Sequence, residues 1–288
     1  MRPLRSGSRR GPGRPLALDS DPSISMKHRF LIYVVVLQVC VAPLLRGASP
    51  TELDLLIVYT PAVAANYAGA PGVEAHAMAS TVSVNDALEN SEIPVVFNLV
   101  AVEQISYTES SSSLSVDLRA IAGKPEVGQP VAPIHSDVLE LRNKHGADLV
   151  TLFRDGAAGG AAGLAYLLDP ANDAEDFAYA VVSDASALSN LTLAHELGHN
   201  MTSAHGRGEA GNDPDIDEAR GYAFTANGTD YRTIMSINTG FNRIPHFSNP
   251  NVFYEGAATG LPVGDPNAAD NASAFAVSTP VIAGSAGP

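Results

Sequence analysis

The chain has 288 residues, 45% of them hydrophobic and 17% charged, with a single cysteine and a formal net charge of −14. That is enough apolar material for a sizeable core, and it excludes collagen-like, disulfide-stapled and wholly disordered classes. Eight of the 17 basic and two of the 31 acidic residues precede Ser49, so residues 49–288 carry nine basic against 29 acidic side chains, a net charge of −20. A surface of that sign repels nucleic-acid phosphates and anionic lipid headgroups, and no nucleic-acid partner is expected.

Residues 1–25, where Arg, Gly and Pro crowd into RSGSRRGPGRP, read as a disordered basic extension. Residues 26–48 have the order of a secretory signal peptide: Lys27, His28 and Arg29, then the apolar run from Phe30 to Val41, then Pro43 and the small residues Gly47 and Ala48. The run is shorter than the roughly 20 residues a bilayer-spanning helix needs. Secretion is therefore expected, with no stable membrane association and Met26 as a candidate start. Cys40 lies inside that run, so the segment 49–288 has no cysteine and cannot form a disulfide.

From Thr51 the pattern alternates strand-like and helix-like blocks. Leu53 to Tyr59 is a near-continuous apolar run, as in a strand covered on both faces. Gly72 to Glu89 carries Val73, Ala77, Val84, Ala87 and Leu88 at helical spacing, and Val95 to Tyr107 alternates like a long strand. The serine run 110–113 reads as a loop; Pro133 to His145, closed by Gly146, reads as a helix. Further strands are expected at Ala147 to Phe153, Leu164 to Leu168 and Phe177 to Val182. Crossovers of this length imply an α/β fold with a mixed, mostly parallel twisted sheet under helices. The glycine-rich GAAGGAAG (156–163) lacks the Lys-Ser/Thr ending of a nucleotide loop and precedes a strand, so it reads as a flexible loop beside an edge strand.

The chemistry lies in HELGHNMTSAH, residues 195–205. Asn190, or Ser189 beside it, is expected to cap a helix starting near Leu191, which puts His195 and His199 one turn apart on one face. Two imidazoles at that spacing reach one Zn²⁺, with Glu196 beside them to take a proton from the attacking water. Gly198 costs such a helix about 1 kcal/mol against alanine, a cost that makes sense if something packs closely there.

HELGHNMTSAH resembles the extended zinc motif of the metzincins, H-E-x-x-H-x-x-G-x-x-H. The wider segment is similar to their reprolysin-like branch, and within it to bacterial peptidyl-Asp metalloendopeptidase-like proteins, through YRTIMS (231–236) and RIPHFSNPNVFYEG (243–256). The resemblance spans about residues 50–275. It implies a metzincin catalytic domain over 49–288 with a mainly irregular C-terminal subdomain. It implies His195, His199 and His205 as zinc ligands, Glu196 as general base and Met235 as the methionine underlying the metal. Peptide bonds of protein or peptide substrates would be hydrolysed, by a monomer. Arg232 and Arg243 are candidates for the substrate pocket, where either would favour an acidic side chain.

Two positions depart from the pattern. Thr202 stands where the motif has glycine, and a left-handed backbone there would cost a β-branched residue of order 1–2 kcal/mol. Gly206 stands where reprolysin-like chains commonly carry an aspartate after the third histidine. These departures motivate an alternative function, a zinc-holding but catalytically weak binding protein. A rival metal site of thermolysin type would take its third ligand from Glu209 or Glu218. The cluster Asp213, Asp215, Asp217 and Glu218 is a calcium candidate, though spacing alone does not supply the roughly six to eight oxygens calcium needs, and a solvated loop is the simpler reading.

Overall fold

The chain divides into Met1–Leu45 and Arg46–Pro288. The computed structural model describes residues 49–123, 135–169 and 177–284, all within the second unit. The segments expected to be a basic extension and a signal peptide, Cys40 and the first residues of the helix expected from Pro133 lie outside the described residues.

A five-stranded sheet organises the first half, in the order β2-β1-β3-β5-β4. Its members are β1 (Thr51–Tyr59), β2 (Val95–Gln104), β3 (Leu149–Arg154), β4 (Gly163–Ala165) and β5 (Tyr179–Ser183). β1 pairs in parallel with β2 and β3, and β3 with β5; only the short edge strand β4 runs antiparallel. The fold is thus the expected mixed, mostly parallel α/β sheet. All residues of β3 and β5 are buried, which is why they read as mainly apolar runs without alternation.

Successive residues of β1 feed opposite faces, as strand geometry requires. Leu53, Leu55, Ile57 and Tyr59 join a core with α2 (Ala70–Asn90) and with two helices from the second half, α6 (Thr192–Asn200) and α7 (Asn271–Ala283). Leu56 and Val58 join a second core with α3 (Leu114–Ala122) and α4 (Ser136–His145). Truncating a fully buried side chain such as Leu55 or Leu152 to alanine should cost about 2–5 kcal/mol. Two short helices, α1 (Pro61–Asn66) and α5 (Asp184–Ala187), follow β1 and β5.

The serine run is a loop as expected, but α3 begins directly after it, where no helix was expected. The Ser113 hydroxyl caps α3 by accepting from the Ser115 amide, and Leu114, Leu118 and Ile121 form its buried stripe. The buried pair Arg154–Asp117, 3.1 Å apart, ties α3 to the end of β3.

The C-terminal part is mainly irregular. It holds a three-stranded sheet, β6 (Ala223–Ala226), β7 (Thr229–Arg232) and β8 (Asn242–Arg243), and the hairpin β9 (Phe253–Tyr254) with β10 (Ala257–Ala258). Asn227 and Gly228 both have positive φ, 50° and 77°, the tight turn that an Asn-Gly pair makes between β6 and β7. β7 and β8 pair in parallel and set Arg232 beside Arg243. No helix among the described residues is long and apolar enough to cross a membrane.

Candidate metal centre

α6 packs against β4 and β5 and carries HELGHN. It starts near Leu191 as expected, but without the expected cap. Leu191 is the N-cap residue, at φ 54°, and no side chain caps the helix. Ser189 instead donates its hydroxyl back to the Ala185 carbonyl (2.7 Å), and the Asn190 carbonyl accepts from Arg243 Nη1 (2.8 Å).

The three motif histidines converge. His205 Nε2 lies 3.2 Å from His195 Nε2 and 3.2 Å from His199 Nε2. Each ring meets a backbone carbonyl through its other nitrogen: His195 Nδ1 with Ile234 O (2.9 Å), His199 Nδ1 with Ser203 O (2.6 Å), and His205 Nδ1 with Ala210 O. A carbonyl only accepts, so each Nδ1 carries a proton, which leaves Nε2 as the nitrogen that can present a lone pair. Three lone pairs aimed at one point repel one another unless a cation sits between them. Tetrahedral bonds of about 2.1 Å to zinc would place the nitrogens about 3.4 Å apart, close to the spacing observed. Burial holds the pKa of His195 well below its ordinary value, and burial with His205 nearby brings His199 down to about 4. Neutral, carbonyl-oriented imidazoles are what a divalent metal requires. Among the described residues, these three form the group that could hold a metal ion.

Glu196 is buried beside them, and burial pushes its carboxyl up to about 8, against the opposing effect of Arg243. Its side chain lies against Gly163 of β4, where a Cβ would come within 2.7 Å of the carboxyl carbon. The glycine that ends the 156–163 loop therefore makes room for this carboxylate. A cleft of about 200 Å³ opens between β4 and α6, walled by Gly163, Leu164, Ala165, His195, Glu196, His199 and His205.

Below the site, Met235 is fully buried against Gly198, as close packing at that glycine anticipated. Thr202 sits at φ 83° and is fully buried, with no hydrogen-bond partner for Oγ1. Through this strained turn the Gly198 carbonyl receives the Ser203 amide (2.9 Å) and the chain comes back toward the rings.

The other candidates separate. Arg232 gives Nε to Phe241 O (3.1 Å) and Nη1 to Ser236 O, so it braces its own loop. Arg243 gives Nη1 to Asn190 O, keeps a buried Nε without a partner and lies within electrostatic reach of Glu196. Asp213 pairs with Arg220 and Asp217 with Arg207, each at 2.6 Å, so two of the proposed calcium oxygens already face guanidinium groups. The Glu209 carboxylate turns to Ser236 and Ile237.

Sequence reasoning missed the residues that orient the rings. Asn271, fully buried at the start of α7, donates Nδ2 to Ser203 Oγ (2.5 Å) and accepts from Ser248 Oγ (2.9 Å), holding the residue whose carbonyl aligns His199. Backbone carbonyls leave no side-chain signature, and only its burial distinguishes Asn271 from a surface asparagine.

Residues 75–206 match the family described as Metallo-peptidase family M12B Reprolysin-like. A peptidyl-Asp metalloendopeptidase of Stenotrophomonas maltophilia (strain R551-3) is 27% identical over 233 residues, 78% of this chain and 50% of its own length. Another, from Xanthomonas campestris pv. campestris (strain ATCC 33913 / DSM 3586 / NCPPB 528 / LMG 568 / P 25), is 26% identical over 232 residues, 78% of this chain and 49% of its own. The chain thus spans about half the length of the curated relatives it matches. Among solved structures, a chain of "Structure of a chaperone-substrate complex" superposes with a TM-score of 0.61 at 17% identity, over 84% of this chain and 40% of that one, a likeness of fold alone. Over residues 75–206, then, the chain is similar to the reprolysin-like metallopeptidases of family M12B.

Proposed function

We propose that the protein is a secreted zinc-dependent metalloendopeptidase whose catalytic domain spans residues 49–288. His195, His199 and His205 are its zinc ligands and Glu196 is its general base. The observation that carries this reading is the convergence of three Nε2 atoms, each ring anchored through Nδ1 to a carbonyl, beside one buried carboxylate.

Zinc in such a site supplies a Lewis acid that polarises the scissile carbonyl and makes water a better proton donor. Glu196 takes the proton of the attacking water and returns it to the leaving amine. Its place against Gly163 aims that carboxylate into the cleft, and Arg243 offsets part of the burial that would keep it protonated. Met235 packs beneath the helix that holds two of the rings and supports them from the apolar side.

Substrates are proteins or peptides that lie along the cleft beside β4. Of the two arginines, Arg243 is the one within electrostatic reach of Glu196, and it is the residue proposed to favour an acidic side chain next to the scissile bond. The names of the curated relatives, peptidyl-Asp metalloendopeptidase, agree with such a preference. Arg243→Gln should narrow the ratio of cleavage rates between Asp-containing and neutral peptides by about tenfold, the worth of one charge-assisted contact. An unchanged ratio removes Arg243 from specificity.

The deciding experiment is hydrolysis of a denatured protein by the purified chain, with bound zinc counted in the same sample and Glu196→Ala beside it. Near-stoichiometric zinc with cleavage that vanishes in the variant supports the enzyme. Zinc without cleavage, for which the strained Thr202 turn is the structural motive, moves the reading to a zinc-holding binding protein.

A further inference from the structure

We propose that Glu209 is the residue that positions the third histidine, by clipping the loop after His205 to the segment carrying Met235. The inference rests on the zinc reading above.

The Glu209 carboxylate gathers three donors from two separate pieces of chain. Oε2 accepts from the Gly206 amide (2.9 Å) and the Ile237 amide (2.7 Å), and Oε1 accepts the Ser236 hydroxyl (2.6 Å). Gly206 and Ser236 are buried, and hydrogen bonds to an ionised acceptor are roughly twice as strong as neutral ones. The residue directly after Glu209 is Ala210, whose carbonyl accepts from His205 Nδ1. Fixing Glu209 therefore fixes the carbonyl that sets the tautomer and rotation of the His205 ring.

The far end of the clip lies on the same short segment that serves His195. Ile234 O takes His195 Nδ1, Met235 packs under Gly198, and Ser236 and Ile237 hold Glu209. One carboxylate thus joins the supports of the first and third rings into a closed circuit. Partners of this kind typically contribute 10–100-fold to metal affinity.

Spatial exclusion points to the same role. A Cβ on Gly206 would lie 2.9 Å from the Glu209 carboxyl carbon and 3.0 Å from both of its oxygens. The space beside the third histidine is already filled by the carboxylate reaching back from position 209. Glycine at 206 and glutamate at 209 are therefore one arrangement, and a side chain at 206 competes with the clip. This geometry also turns Glu209 toward Ser236 and Ile237, away from the role of third ligand.

The test measures Zn²⁺ affinity by competition with a chromophoric chelator, together with the visible spectrum of the Co²⁺-loaded protein. Glu209→Ala should weaken zinc binding by about 10–100-fold and change the cobalt spectrum, and Glu209→Gln, which keeps one accepting oxygen, should fall between it and wild type. Asp217→Ala, which breaks an exposed ion pair made by Arg207 of the same loop, should leave both readouts unchanged. Gly206→Asp alone should weaken zinc binding, and adding Glu209→Ala to it should restore part of the loss. Wild-type zinc affinity and cobalt spectrum in Glu209→Ala, even with a lowered melting temperature, would make Glu209 a loop staple and overturn the inference. A wild-type protein that binds no zinc would instead overturn the metal reading, and the inference with it.

Discussion

Met235 occupies the space that a Cβ on Gly198 would need: its Cε would lie 3.1 Å from that atom, its sulfur closer still, and a Phe247 ring carbon 3.2 Å away. On an exposed helix, Gly→Ala stabilises by about 1 kcal/mol. Gly198→Ala should do the opposite here, costing about 1–3 kcal/mol in urea unfolding, because overpacking displaces either the thioether or the helix between His195 and His199. A variant as stable as wild type would show that Met235 swings aside freely.

Gly163 bears on the reaction more than on stability. Gly163→Ala would press a methyl into the Glu196 side chain and turn its carboxylate from the cleft. We expect kcat to fall about tenfold or more with bound zinc unchanged, since proton transfer depends on position and Glu196 is proposed as the base and not as a ligand. Unaltered kcat at full zinc content would separate the general-base role from this packing.

Thr202 carries avoidable strain. Its φ of 83° and its buried, unpartnered hydroxyl each cost of order 1–2 kcal/mol, while glycine adds roughly 0.5–1 kcal/mol of backbone entropy to the unfolded chain and loses a buried methyl. Thr202→Gly should therefore raise stability by about 1 kcal/mol, read as a higher denaturation midpoint. A lower midpoint would mean that the methyl packing outweighs the strain.

Asp148 gives stability a pH dependence remote from the metal. Burial raises its carboxyl to about 6 in the folded protein, although the Asp54 amide donates to it at 2.8 Å, against about 3.9 in an unfolded chain. The folded state binds more protons between these values, so the contribution of Asp148 is best below about pH 4 and worsens as pH rises through 6. Asp148→Asn keeps an acceptor for Asp54 and removes the charge. Its advantage over wild type should approach 1 kcal/mol above pH 7 and vanish near pH 4, as measured by urea unfolding at both pH values. Equal differences at the two pH values would refute this assignment.

Legibility followed burial. β1 and β3 could be read because both of their faces are covered, which writes a near-continuous apolar run, and the histidine spacing of α6 could be read because one helical turn dictates it. Gly198 announced a close neighbour without naming Met235. α3 was hidden behind its own cap, since Ser113 belongs to a serine run that reads as loop. The cap of α6 was misassigned because the Ser189 hydroxyl turned back into the preceding turn and a left-handed Leu191 opened the helix uncapped. The carbonyls of Ile234, Ser203 and Ala210 could not be read at all, because every residue but their position in space would look the same.

α7 supplies a final consequence, one of timing. The His199 ring is aligned by Ser203, Ser203 is held by Asn271, and α7 seats its Phe275 in the core built on β1. As the chain leaves the ribosome, HELGH is therefore exposed well before the segment that squares the second of its proposed ligands. Until residues beyond 271 have emerged and folded back over β1, the nascent protein holds the complete motif without the finished site.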